Sequence, residues 1–406
     1  MSKINKLAVI MFFGGICAFA IQNHPTDLVI SRIESTPVVY PIRFVFFGDS
    51  RNSFVATDPS ADSIFAIERA QIDSLHPVFV VHGGDFRKDG YTDEYMDFIA
   101  RIDSFQTNMV TVRGNHELYA DEGPAMYDSI FGETDYYFDY GIYRFIILAD
   151  CQQDSDTSWY GHYIDYLVSE EQLNWLDSIL EDADSLGMFE FVFAHVPPYN
   201  AEHDTEYCLG YFGYEPSPNY ELSHTEEFST ILSLHNVVAG CWSHQHFYDR
   251  STYMGVPYII SGGAGAPLDS AISPVPYGGG IYHFILFELD SLGNVTGYIY
   301  RAGEYSPDSE YTFYITPSKI VENNGANSNE DIRVNNNFIV YSEKNDIYSI
   351  DITDILGKIV YYRKAYSIHP GKNILDINLN NMKNGIYFVN LYNDKVSIRK
   401  KIIYIR

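Results

Sequence analysis

Apolar residues along this chain come in short runs that alternate with amphipathic stretches. Arg43–Phe47 (RFVFF), Val78–His82 (VFVVH), Met109–Val112 (MVTV), Tyr143–Leu148 (YRFIIL), Phe189–Ala194 (FEFVFA) and Val237–Ala239 are β-branched and aromatic. Turn residues bound each run, so each predicts a strand. Ala61–Leu75, Thr92–Phe105, Glu122–Phe131, Ser169–Leu186 and Tyr220–Leu234 predict helices. Ser169-Glu170-Glu171-Gln172 has the form of a capping box at a helix start. Such alternation predicts an α/β layered domain. After Phe247 strands follow without helices: Phe247–Met254, Tyr258–Ser261, Ile281–Asp290, Val295–Arg301 and Tyr311–Thr316, which could extend the same sheets.

The pattern changes again near the C-terminus. Residues 317–336 are rich in Pro, Ser, Asn, Gly and Glu, which predicts a linker. Residues 337–406 alternate with period two over Phe338–Tyr341, Tyr348–Thr353, Ile359–Tyr362, Asn373–Ile377, Ile386–Tyr392 and Lys401–Ile405. Short strands at that spacing predict a small β-sandwich. At the other end, Lys3 and Lys6 precede an apolar run from Leu7 to Ala20 that closes Ala18-Phe19-Ala20. This is the layout of a secretory signal peptide over residues 1–20, with cleavage after Ala20. The run falls short of the roughly 20 residues that span a bilayer. No stable membrane insertion is expected.

Charge sharpens the boundary. The chain of 406 residues holds 54 Asp+Glu against 26 Lys+Arg, a net of −28. Residues 21–318 carry 45 acidic and 11 basic residues, and Lys88 is their only lysine. Residues 319–406 are net +4. The acidity excludes an ordinary nucleic-acid binder, which needs clustered Lys/Arg. At 46% hydrophobic the chain is too apolar for disorder. With Cys17 in the leader, Cys151, Cys208 and Cys241 remain. They allow at most one disulfide and read best as buried small hydrophobes.

Five polar clusters follow the predicted strands: Gly48-Asp49-Ser50-Arg51, Gly83-Gly84-Asp85, Arg113-Gly114-Asn115-His116-Glu117, His195-Val196-Pro197-Pro198 and Ser243-His244-Gln245-His246. Ligands of α/β sheets bind at the carboxyl ends of strands. Carboxylate and imidazole donors suit Fe, Zn or Mn. Two such ions close together can activate water against a phosphate ester.

These five clusters, in this order, resemble the calcineurin-like metallophosphoesterases, a superfamily that includes purple acid phosphatases. The resemblance covers roughly residues 43–300. It implies a four-layer sandwich of two packed mixed β-sheets flanked by helices, within a catalytic domain over residues 21–316. It implies two divalent or trivalent metal ions. Carried over, Asp49 and His246 would bind the first metal, and Asp85 would bridge both. Asn115, His195 and His244 would bind the second. His116 would be the catalytic proton donor. His246-Phe247-Tyr248-Asp249-Arg250 resembles the tail block of acid-phosphatase-like members. The implied activity is hydrolysis of small phosphate esters, chiefly phosphomonoesters, by metal-activated hydroxide. The alternatives are a phosphodiesterase on nucleotides or related diesters, and a non-catalytic surface-binding protein on a degenerate scaffold.

Three positions depart from the family pattern. Arg51 stands where many members have a histidine ligand, and Lys88 where purple acid phosphatases have a tyrosine. Both predict a weaker first metal site, and the second predicts no tyrosinate colour. Arg51 would either grip substrate phosphate or pair with the site's carboxylates. Lys88 is placed to touch substrate. Ser243 replaces a family glycine. The long aromatic loop Pro197–His224 carries Tyr199, Tyr207, Tyr211, Phe212 and Tyr214. Its rings would stack on substrate, with Tyr199 the candidate contact, or pack together as a lid. His82, His162, His203, His224 and His283 match no motif.

The C-terminal stretch resembles the sorting domains of the type IX secretion system. Asp354-Ile355-Leu356-Gly357-Lys358, Asn384-Gly385-Ile386-Tyr387-Phe388-Val389 and Lys400-Lys401-Ile402 carry that resemblance. It implies type IX secretion machinery as a partner and an extracellular or cell-surface destination reached through the periplasm. A carbohydrate-binding or spacer sandwich is the other reading.

Overall fold

Two six-stranded mixed sheets make up the middle of residues 42–315. One runs Phe313–Ile315, Val295–Arg301, His283–Leu289, Ile42–Phe47, Phe79–His82, Asn108–Thr111; the other runs Tyr248–Tyr253, Val256–Ser261, Val237–Trp242, Phe189–Phe193, Tyr143–Ile147, Tyr136–Tyr140. The computed structural model describes residues 24–404 apart from 53–59, 158–160, 200–207, 213–214, 217–221, 270–277, 317–330, 336, 343–344, 355–357, 376–384 and 394–396. The expected signal peptide, most of the expected linker, His203, Tyr207 and Tyr214 lie outside the described residues.

Side-chain alternation explains the layering. Phe44 and Phe46 of the first strand point between the sheets, where they meet Phe145, Phe191, Phe193 and Phe287. Val45 and Phe47 point the other way, onto helices Ser60–Leu75, Thr92–Ile102 and Gly123–Ile130. On the second sheet, Ile146 and Val192 pack on helices Glu170–Ser185 and Thr225–Leu234. A strand buried on both faces reads as an unbroken apolar run, which is why RFVFF and FEFVFA carry no polar alternation. The result is the predicted four-layer sandwich. Ser169 caps its helix as predicted: its hydroxyl accepts from Gln172 N at 3.2 Å, and its own N–H donates to Gln172 Oε1 at 2.9 Å.

Some elements lack a clear signal in the pattern. Helix Thr26–Ser35 packs on Asn108–Thr111 and Tyr136–Tyr140, so it covers one edge of both sheets. The hairpin Cys151–Thr157 and His162–Tyr166 begins with the polar run CQQDSDT, which hides a strand. Strand Asp331–Asn335 lies inside the segment expected to be linker. Ile332 and Val334 alternate there, but the surrounding asparagines mask them. That strand pairs with Asn337–Ser342, which pairs with Gly371–Leu375. A four-stranded antiparallel sheet (Ile359–Ile368, Asp346–Asp354, Gly385–Tyr392, Ser397–Tyr404) completes an all-β module, with Ile350, Ile352, Val389 and Leu391 buried. Among the described residues no helix is long and apolar enough to cross a membrane. Cys151, Cys208 and Cys241 are buried free thiols.

Glu68 is a cost carried inside this fold. It is fully buried, and neither carboxylate oxygen has a hydrogen-bond partner among the described residues. Burial holds its carboxyl well above the usual carboxylate range. The native state therefore keeps a proton that the unfolded chain releases once pH passes its ordinary value of 4.5. Stability then falls as pH rises from that value toward the raised native one, by about 1.4 kcal/mol per pH unit. Glu68→Gln removes this slope. Its thermal midpoint should exceed the wild type's at pH 8, with the gap closing near pH 5. A gap that is constant with pH would contradict the account.

Candidate metal centre

Each polar cluster starts where a strand stops. Ile42–Phe47, Phe79–His82 and Asn108–Thr111 run parallel, so Asp49, Asp85 and Asn115 emerge on one side of the first sheet. Phe189–Phe193 and Val237–Trp242 are parallel in the second sheet and deliver His195 and His244. The site is thus built across the two sheets at their carboxyl ends.

Bringing these loops together strains the backbone. Asp49, Asp85 and His244 adopt left-handed φ of 61°, 58° and 67°. Non-glycine residues reach that region at a cost and cluster there at functional sites. Gly114 is required for a close approach: a Cβ on it would lie 2.4 Å from Asp85 Oδ1 and 2.6 Å from Asp85 N. Ser243 is accommodated because its neighbours lack side chains. A Cβ on Gly48 or Gly83 would fall 2.1 or 2.0 Å from its hydroxyl oxygen. That hydroxyl donates to Ser261 O at 3.1 Å.

The donors form two groups that share Asp85. In the first, Asn115 Oδ1 lies 3.0 Å from both His195 Nε2 and His244 Nδ1. His195 Nε2 lies 3.2 Å from Asp85 Oδ1 and 3.3 Å from His244 Nδ1. Neighbouring donors on a tetrahedral ion with bonds of about 2.0 Å stand about 3.3 Å apart, so these atoms fit one. His195 Nδ1 donates to Gly83 O at 2.7 Å, which orients the ring and leaves Nε2 for the cluster. The convergent oxygens call for a cation. Burial alone would lower His195, yet the charges of Asp85, Asp49 and Asp150 push it up to about 10.

In the second group, Asp49, Asp85 and His246 present donor atoms within reach of one ion. Asp49 Oδ1 is buried, makes no hydrogen bond among the described residues, and has His246 Nε2 3.5 Å away. Asp49 Oδ2 accepts from His244 N at 2.9 Å. His246 Nδ1 donates to Pro267 O at 2.8 Å, so Nε2 holds the lone pair. Arg51 enters this group. Its Nη2 donates to His246 Nε2 at 3.2 Å, and its Nε lies 3.5 Å from Asp85 Oδ2.

His116 borders both groups. Its Nδ1 donates to the Lys88 carbonyl, and its Nε2 stands 3.7 Å from Asp85 Oδ2. Burial first, then the Arg51 charge, pushes it down to about 3. Lys88 therefore reaches the site with its backbone carbonyl; its ammonium pairs with Asp89 at 2.9 Å. Tyr199 packs on Tyr253, with ring centroids 4.2 Å apart and the planes tilted by 33°, against the core outside the second sheet.

Several residues that hold the site together carry no sequence assignment. Glu117 Oε2 accepts from the Asp85 and Gly114 amides at 2.8 and 2.9 Å, and Oε1 from the Phe86 amide at 2.7 Å. Asp150 accepts from the His195 and Val196 amides at 3.2 and 2.8 Å. Asp269 accepts from His246 N at 2.9 Å. His82 lies beneath the loops, 3.0 Å from the Ser50 hydroxyl. Glu117 stands in the Gly114–Glu117 block, and Asp150 sits just past a strand end. Both positions were signals. Asp269 stands two residues after Pro267 and has none.

Residues 42–248 match the family model for calcineurin-like phosphoesterases, and residues 328–406 match that for secretion system C-terminal sorting domains. No curated protein matches the chain. Among solved structures, a purple acid phosphatase from yellow lupin (Lupinus luteus) seeds is similar at 17% identity and a TM-score of 0.51, over 67% of this chain and 53% of that one. A dimetal phosphatase from Danio rerio matches at 18% identity and a TM-score of 0.49, over 69% of this chain and 100% of that one. The family match spans half of the sequence and contains both donor groups: this chain belongs to the calcineurin-like phosphoesterase family.

Proposed function

We propose that this chain is an exported, metal-dependent hydrolase of small phosphate esters, acting first on phosphomonoesters. The observation that carries the reading is the convergence of Asp85, Asn115, His195 and His244, with donor atoms 3.0–3.3 Å apart. Asp49 and His246 extend this set around the shared Asp85. Metal ions held there would polarise phosphoryl oxygens and activate a water for attack. His116 would hold the proton for the leaving alkoxide. Its Nδ1 is anchored on Lys88, so Nε2 is the atom turned toward the site. It is neutral before substrate binds, and the negative charge of an incoming phosphate favours the imidazolium. Arg51 adds a fixed positive charge beside Asp85. The acidic surface of residues 21–318 disfavours polyanions, which supports small esters over nucleic acid.

Residues 21–316 would be the catalytic unit. The tail, from strand Asp331–Asn335 onward, would engage the type IX secretion machinery after a leader over 1–20. Turnover of p-nitrophenyl phosphate and of its bis-ester, each with added Mn, Zn or Fe, tests the reading. The monoester should be hydrolysed faster, and a chelator should abolish activity and lower the thermal midpoint. A faster diester would move the assignment to phosphodiesterase. No turnover of either ester with any metal would end the enzyme reading.

A further inference from the structure

We propose that Arg51 stands in for one of the two cations: the chain binds one metal ion tightly, at Asp85, Asn115, His195 and His244, and the Arg51 guanidinium serves the Asp49–Asp85–His246 side. The inference rests on the metallophosphoesterase reading and specifies how that site is filled. Arg51 is only 7% exposed. It reaches the second donor group from inside, through Nη2 on His246 Nε2 at 3.2 Å and Nε near Asp85 Oδ2 at 3.5 Å.

Competition for the same atoms is the core of the argument. His246 Nδ1 is committed to Pro267 O, so Nε2 carries the ring's only lone pair. That lone pair accepts the guanidinium N–H, and a metal ion would need it as well. A guanidinium has no lone pair to offer a metal and keeps its proton at any ordinary pH. It therefore cannot become a ligand; it can only occupy the place or leave it. Leaving is opposed by the buried negative charges of Asp49 and Asp85, which would lose a permanent counter-charge. The other donor group differs. Its four atoms belong to Asp85, Asn115, His195 and His244, and none is an arginine or lysine nitrogen. The two halves of the centre are thus built unequally. The fixed charge also has a catalytic use, because a guanidinium beside the metal can hold a phosphate oxygen without exchanging with solvent ions.

Metal stoichiometry tests this directly. Full-length protein is stripped with chelator, dialysed against equal low free concentrations of Mn or Zn, and measured by elemental analysis. The wild type should hold one ion per chain. Arg51→His, which restores an imidazole, and Arg51→Ala, which empties the place, should each hold two. Arg51→Lys keeps a positive charge and should hold one. Two ions in the wild type, or one in every variant, would overturn the Arg51 assignment and leave the phosphoesterase reading standing. No ion in any form would overturn both. Circular dichroism of each variant, matched to the wild type, ensures that the counts refer to folded chains.

Discussion

His116→Asn is expected to lower kcat on an alkyl phosphomonoester by roughly 10²–10⁴-fold, the usual contribution of general acid catalysis. Metal content should not change. The reason is geometric: His116 Nε2 stands 3.7 Å from Asp85 Oδ2 and is absent from both donor groups, while its Nδ1 is tied to the Lys88 carbonyl. Asparagine fits the space but cannot carry a proton to a departing oxygen. The leaving group supplies a second readout. p-Nitrophenolate is stable as an anion and needs little protonation, so the same variant should lose much less rate on p-nitrophenyl phosphate. A merely structural role would slow both esters alike. Equal losses, or loss of bound metal, would remove His116 from the proton-donor position.

Glu117→Ala should be among the most destabilising single substitutions in the catalytic region. Three buried amides, those of Asp85, Phe86 and Gly114, donate to this one carboxylate. Leaving a buried donor unsatisfied costs about 1–3 kcal/mol, so a loss of about 3 kcal/mol or more is expected. Burial first, and then the charge of Asp85, pushes the Glu117 carboxyl up to about 8. Both oxygens nevertheless accept amide protons, and the carboxylate is the form that accepts all three without placing a hydroxyl proton among those donors. Glu117→Gln is the discriminating partner. It keeps the volume and one oxygen that can accept the Asp85 and Gly114 amides, but turns an amide N–H toward the Phe86 N–H, so it should recover only part of the loss. Denaturant unfolding of the two variants measures both effects. Wild-type stability in either would show that the three amides find other partners. Because the same amides position Asp85, metal affinity should fall along with stability.

Much of this was legible in the chain. Runs such as RFVFF and FEFVFA set the strands. Glycines and aspartates after the strands marked the loops. Asp49, Asp85, Asn115, His116, His195, His244 and His246 were nameable from local clusters, and the structure brings all seven together. Lys88 and Tyr199 were also candidates. A residue's distance from a motif does not say which way its side chain turns, and here the Lys88 ammonium meets Asp89 while Tyr199 meets Tyr253.

What the sequence alone determined is what short-range chemistry can encode: element type from hydrophobic period, turn position from glycine and asparagine, and the donor types that suit a metal and a phosphate ester. The tertiary structure decided the pairings that cross the two sheets. His195 meets Asn115 from 80 residues away, and Arg51 meets His246 from 195. Arg51 was open between substrate and carboxylate partners because no local pattern reports which distant lone pair a guanidinium will find. Glu117 and Asp150 had positional cues, inside a motif block and just past a strand end, but no local pattern reports which backbone amides their carboxylates accept. Such contacts exist only once aromatic side chains between the sheets have fixed the distance from one set of strand ends to the other.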